Sequence, residues 1–314
     1  MYEQIARNKR RTVVYMAVFF LTWLGIGAAV GALVAAYRPA ETGNTSAATG
    51  DVIVGVGFAA VIALAGIGFT LVSGTRLVLS VAGARLADQR RYAQLYHLVE
   101  ALALGDGLPT PAVYIVEDPS PNAFATGISP ARAEVTVTTG LLAMMDREEL
   151  EGVLAHEMSH IKNYDTRLLL VVSTLIGLAG LLASVVWRTA FFTRSRGRDG
   201  AQLMLLVLVA GVLLSVVGFI VGPVIRLALS RRREALADAS GVALSRNPAG
   251  LIRALRKLQV NDTPLVRVNH VTAAMCIDDP LQHHTSAIHR LFDTHPPIAD
   301  RIAVLERMVH GLSV

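Results

Sequence analysis

A single cysteine, Cys276, stands among 314 residues, so no disulfide can form within the chain, and the part that carries it suits a reducing compartment. Charge is thin as well: Asp, Glu, Lys and Arg make up 17% against 53% hydrophobic residues. The apolar residues gather in long runs instead of recurring at helical or strand periods, which argues against an ordinary soluble enzyme and for a membrane protein. No internal repeat or low-complexity tract is present. The formal charge of +5 and pI near 9.6 do not imply nucleic acid, because the arginines cluster at the ends of the apolar runs. Orientation and anionic lipid head groups account for them there.

Four runs contain no Asp, Glu, Lys, Arg or His: Thr12 to Tyr37 (26 residues), Val52 to Thr75 (24), Leu168 to Trp187 (20) and Ala201 to Ile225 (25). Each reaches the roughly 20 residues a helix needs to cross about 30 Å of hydrocarbon. Their lack of ionisable groups speaks against a transporter or channel, which places such groups inside its spans. The first run is long and shows no clear cleavage site ahead of a soluble domain, so an uncleaved anchor is expected rather than a signal sequence. The expected plan is an N-terminal membrane hairpin over 1–75 (helices about 12–37 and 52–75) and a first soluble part over 76–167. A second hairpin over 168–225 (helices about 168–187 and 201–225) and a second soluble part over 226–314 follow.

Arg7, Lys9, Arg10 and Arg11 before the first hairpin, and Arg76, Arg85, Arg90 and Arg91 after it, place both its ends in the cytoplasm. The second hairpin breaks that rule, since its loop carries Arg188, Arg194, Arg196 and Arg198. Whether or not these segments cross fully, an even number of crossings separates residue 167 from residue 226, so the flanking segments share a side.

Between the runs, apolar residues at helical spacing from Asp88 to Leu104 predict a helix that ends at "GDGLPTP". "AVYIVED" and "AEVTVTT" read as strands, and "ATGISPAR" makes a hairpin. Asp146 with Glu149 three residues on is a capping box, so a helix begins near Arg147. "NPAGLIRALRKLQ" predicts an amphipathic helix from Pro248, residues 261–294 look irregular, and a last helix starts at Pro297.

The helix from Arg147 carries "HEMSH". His156 and His160 lie four positions apart, one above the other on one face, and Glu157 can contact a water held by an ion that both imidazoles reach. That is the arrangement of a zinc hydrolase, although polar surface histidines also produce the pattern. Glu234, in "RRREALADAS", is the candidate third ligand, and Asp238 one turn on can hydrogen-bond a ligating histidine. His160 lies 8 residues before the third run and Glu234 lies 9 after the fourth. At about 1.5 Å per residue both sit about 12 to 14 Å from their runs, so two helices leaving one hairpin bring them to one height.

Together "HEMSH", "EALAD", "PNAFATG", "VTTGLL" and "THPP...R" resemble the M48 family of membrane zinc metalloproteases, specifically its HtpX-like heat-shock members, over nearly the whole chain. The resemblance implies a mostly helical α+β protein with four hydrophobic helices and a cytoplasmic, gluzincin-like protease domain in the inner cell membrane. It implies one zinc per chain held by His156, His160 and Glu234, with Glu157 as base and Asp238 supporting a histidine. It further implies His295 and Asn122 at the oxyanion, a buried Arg301 near the metal-binding carboxylate, and misfolded membrane proteins as substrates. The "PNAFATG" segment suggests an edge strand that could add an extended peptide by main-chain pairing, although any small α+β domain contains such strands.

Two other proteases compete. An intramembrane zinc protease would carry its motif inside a span, whereas Asp146, Arg147, Glu148, Glu149, Glu151, Lys162 and Asp165 surround this one. A prenyl-peptide processing protease is the alternative within the wider family, but its members are longer and have more spans. Gly27 with Gly31, and Gly218 with Gly222, form small-xxx-small pairs suited to close helix packing. "GVGFAA" from Gly55 lies inside an apolar run and is not a nucleotide fingerprint. His283, His284 and His289 match no motif and read as surface residues.

Overall fold

The computed structural model describes residues 2–36, 45–192, 204–205, 207–209, 211–213, 215, 231–261 and 297–309. Cys276, His283, His284, His289, His295, Gly218, Gly222 and most of the fourth apolar run lie outside the described residues. The elements in chain order are α1 (Tyr2–Ala36), α2 (Thr45–Ala82), β1 (Arg85–Leu86), α3 (Ala93–Asp106), β2 (Ala112–Val116), β3 (Ala123–Ser129) and β4 (Arg132–Thr138). These are followed by α4 (Thr139–Met144), α5 (Arg147–Lys162), α6 (Asp165–Phe192), α7 (Arg231–Ser245), α8 (Pro248–Gln259) and α9 (Ile298–Val309). The protein is α+β and mostly helical.

The backbone divides into two compact units. One comprises Arg11–Val72 and Thr174–Val224. Its buried cluster is small, with Trp23, Ala59, Ala63 and Ala183 at the centre, while Phe58 and Val72 are 70% and 80% exposed. Apolar faces of that kind suit hydrocarbon, not water. A Cβ on Gly27 would come within 2.6 Å of the Ala59 Cβ, and one on Gly31 within 2.7 Å of the Val52 Cα. Only glycine lets α1 and α2 cross this closely, so Gly27 and Gly31 pack helices as expected, and Gly55 belongs to the same crossing.

Among the described residues three helices are long and apolar enough to span a membrane: Glu3–Ala36, Ala47–Ala82 and Asp165–Arg188. Their helices exceed the apolar runs. α1 begins ten residues before Thr12, and α2 and α6 both extend past their runs at each end. Once nucleated, a helix gains a hydrogen bond for each residue added and does not stop where hydrophobicity does.

The other unit comprises Met1–Arg10, Ser73–Ser173 and Ile225–Val314. Its sheet has the order β1-β2-β4-β3, with β2 parallel to β4 and both outer pairs antiparallel. The hairpin of β3 and β4 is present, with a bulge between Gly127 and Ser129. The two-residue β1 has no period to betray it in the sequence. Ala133, Val135 and Val137 turn one face of β4 toward α5, where they join Val153, Leu154 and Met158 in the core. Helix α3 starts at Ala93 rather than Asp88. The Asp88 carboxylate accepts from the amides of Arg90 and Arg91 at 2.8 and 2.9 Å, and this side-chain turn replaces the first helical turn.

The capping box forms, with Asp146 Oδ1 accepting from the Glu149 amide at 2.9 Å and Glu149 Oε2 accepting from the Asp146 amide at 2.8 Å. From Leu150 to Ile161 α5 is buried almost all round, packed between β3, α3, α7 and α8. Its buried polar groups therefore need partners within the protein.

Candidate metal centre

His156, Glu157 and His160 are 1%, 2% and 7% exposed, so "HEMSH" is no solvated surface patch. Helical spacing stacks the two imidazoles, with ring centres 4.8 Å apart and planes at 89°. Helix α7 presents Glu234, Asp238 and Gly241 at i, i+4 and i+7, one stripe facing α5. A Cβ on Gly241 would lie 2.9 Å from the His156 amide nitrogen. The bare glycine backbone thus lets α7 approach until Glu234 Oε2 is 3.4 Å from His156 Nε2 and Oε1 is 3.7 Å from His160 Nε2.

The outer nitrogens fix the tautomers. Arg301 only donates and an ionised aspartate only accepts. Asp238 takes Arg301 Nε at 3.0 Å and Nη2 at 2.7 Å, and His156 Nδ1 sits 2.9 Å from its Oδ1. His160 Nδ1 lies 3.1 Å from Asp165 Oδ2. Both Nδ1 atoms therefore carry hydrogen, and both Nε2 lone pairs converge at 3.2 Å in front of a carboxylate. Lone pairs so placed repel unless a cation sits among them. One ligand atom from each of His156, His160 and Glu234 lies within 4.8 Å of the others, a donor set that suits zinc.

The same carboxylates draw positive charge, a proton or a cation, into the pocket. Burial lowers His156, but hydrogen bonds with Asp238 and Glu234 outweigh it and lift the imidazole to about 9. Burial would raise Asp238, yet the Arg301 guanidinium and His156 hold it well below the usual carboxylate range. Burial pushes Glu157 up, countered in part by His156 and His160 and by a hydrogen bond from the Ala125 backbone.

The structure brings together His156, Glu157, His160, Glu234, Asp238 and Arg301. Asn122 is buried at the start of β3, where its amide donates to Thr138 Oγ1 at 2.8 Å and its carbonyl accepts from the Thr138 amide at 2.9 Å. The role expected of His295 falls outside the described residues. Asp165 was visible in the sequence only as one of the charges around the motif. A carboxylate placed just past the end of a ligand-bearing helix is the signal that could have revealed it.

A profile described as peptidase family M48 matches residues 89–309. A "Protease HtpX homolog" of Levilactobacillus brevis is 42% identical over 313 residues, covering 98% of this chain and 100% of the relative. One of Streptococcus mutans is 39% identical over 315 residues with the same coverage. Among solved structures, the chain is similar to the crystal structure of S. mikatae Ste24p with a TM-score of 0.48 and 18% identity, over 77% of this chain and 56% of that one. The buried pair of histidines, the glutamate brought to them by α7 and a family match that covers all three place this chain in peptidase family M48.

Proposed function

We propose that this membrane metalloprotease holds one zinc ion per chain with His156 Nε2, His160 Nε2 and the Glu234 carboxylate, and that Glu157 is the base for peptide hydrolysis. The observation that carries this reading is the convergence of the three ligand atoms within 4.8 Å, all buried. Zinc bound by three protein groups supplies Lewis acidity, which makes a water nucleophilic near pH 7 and polarises a carbonyl. Glu157 accepts the proton of the attacking water and returns it to the leaving amine, and its raised proton affinity suits both transfers. Asp238 and Asp165 hold the Nδ1 hydrogens, and Arg301 keeps Asp238 ionised. Asn122 and His295 donate to the developing oxyanion.

Substrates are polypeptides, held extended along β3. Among the described residues β3 has a strand neighbour on one side only. Asn122 and Thr138 are bonded across β3 and β4, so Ala123 and Ala125 turn their backbone groups away from β4. There the Ala123 amide donates to Asn122 Oδ1 at 2.8 Å and the Ala125 amide to Glu157, in the place an added strand would take. Both are buried, at 0% and 4% exposure, so the arrangement has to open before a peptide pairs there.

The finer reading is a four-span protein of the inner cell membrane. Hairpins over 1–75 and 168–225 leave the parts over 76–167 and 226–314 in the cytoplasm, where they act on misfolded membrane proteins. The arginines that flank the first hairpin and the even number of crossings support it. Glu157→Gln tests the chemistry: the variant keeps one zinc per chain and loses casein cleavage, and full activity in it removes the mechanism.

A further inference from the structure

Asn8 lies in the first turns of α1 among Arg7, Lys9, Arg10 and Arg11, yet it is 0% exposed. A buried amide is costly unless bonded, and asparagine is a poor helix former. Its Nδ2 spends both hydrogens on one turn of chain. It donates to the Asn163 carbonyl at 2.8 Å and to Asp165 Oδ1 at 2.7 Å. The next residue adds a third contact, with Lys9 Nζ 4.3 Å from the centre of the Tyr164 ring. Tyr164 has φ 60°, a left-handed conformation that a bulky side chain rarely takes. Asn8 and Lys9 thus hold both residues of the turn between α5 and α6 and the first residue of α6.

That first residue of α6 is the partner of a metal-site histidine. Asp165 Oδ2 faces His160 Nδ1 at 3.1 Å, and His160 Nε2 faces the cluster with His156 and Glu234. A carboxylate held through one oxygen can still rotate, so the imidazole it orients is only as fixed as the other oxygen. Arg233 Nη1 stands 4.0 Å from Asp165 Oδ1, beyond hydrogen-bond reach, while Asn8 is within it. The amide fixes the carboxylate plane through Oδ1 and leaves Oδ2 to the imidazole N–H.

We propose that Asn8 is a positioning residue for His160, acting through Asp165, so that the segment opening the first apolar helix sets the metal affinity of the site. The inference rests on His160 being a ligand. The test is zinc competition against a chromophoric chelator, with full-length protein in detergent, for the wild type, Asn8→Ala, Asp165→Ala and the double variant. Alanine favours the helix, so α1 itself is not weakened. Loss of Asp165 is expected to weaken zinc about 10- to 100-fold and loss of Asn8 about 3- to 10-fold, because outer partners of a ligand act on that scale. The double variant should bind zinc no more weakly than Asp165→Ala, since residues acting in one chain do not add. Unchanged affinity in Asn8→Ala overturns the inference, and so do additive losses, which mark general destabilisation. In both cases a wild type that binds one zinc leaves the metal reading standing, whereas a wild type that takes up none overturns both.

Discussion

His156 Nε2 and His160 Nε2 stand 3.2 Å apart while their Nδ1 atoms turn outward to Asp238 and Asp165. Carboxylates on the outer sides force the lone pairs inward, and Glu234 meets them there. The buried charges are arranged to hold a cation.

Removing Glu234 should therefore undo the arrangement. In Glu234→Ala the metal affinity is expected to fall by more than about 100-fold, beyond the ~10- to 100-fold typical of outer partners. Metal content after dialysis against a weak chelator, compared with the wild type, measures it. A variant that still retains one equivalent would mean that some other group closes the site.

Asp238 and Arg301 separate binding from stability. Asp238→Ala removes the acceptor that sets the His156 tautomer, so metal affinity drops about 10- to 100-fold. Arg301→Ala removes the guanidinium that keeps Asp238 ionised and leaves that carboxyl buried at 2% exposure without its two guanidinium bonds, a change that costs about 3–5 kcal/mol of stability. Thermal melting in detergent should show Arg301→Ala well below the wild type even when zinc is saturating.

How much of this was legible depended on distance along the chain. The i, i+4 pair and the even number of crossings could place His156, His160, Glu234 and Asp238 together, because helical period and membrane parity are local properties of sequence. Asn122 and Arg301 came only with the resemblance to a family. Asn8 and Asp165, 157 residues apart, meet through packing that no periodicity encodes. Gly241 has no pattern to mark it in the sequence, because its reason is the backbone of another helix. Helices α1, α2 and α6 run beyond their apolar runs because charge marks where lipid stops, not where a helix does.

Gly241→Val tests whether close packing of α7 on α5 builds the site. Its side chain would meet the His156 backbone at 2.9 to 3.1 Å, so α7 must shift outward and carry Glu234 and Asp238 with it. Overpacking of this kind costs about 1–3 kcal/mol, more than the few tenths gained by replacing glycine in a helix. Lower melting temperature together with weaker zinc binding is expected. A loss of stability at full zinc affinity would detach the packing from the site.

Glu134 gives the fold a pH dependence of its own. It sits on β4 opposite Thr126, and burial pushes its carboxyl up to about 7 from an ordinary 4.5. Below the ordinary value both folded and unfolded chains hold the proton, and the residue contributes nothing. Between the two values the unfolded chain has released its proton while the folded one keeps it, so stability falls as pH rises. Above the folded value the penalty is complete and constant. Glu134→Gln cannot ionise and escapes it. Melting temperatures of variant and wild type should therefore differ least near pH 4.5, separate as pH climbs toward 7, and stay apart at pH 8 with the variant the more stable. The side chain is only half-buried, so solvent moderates the gap. Coincident melting at pH 8 would show that the carboxylate finds water or a counter-charge when it ionises.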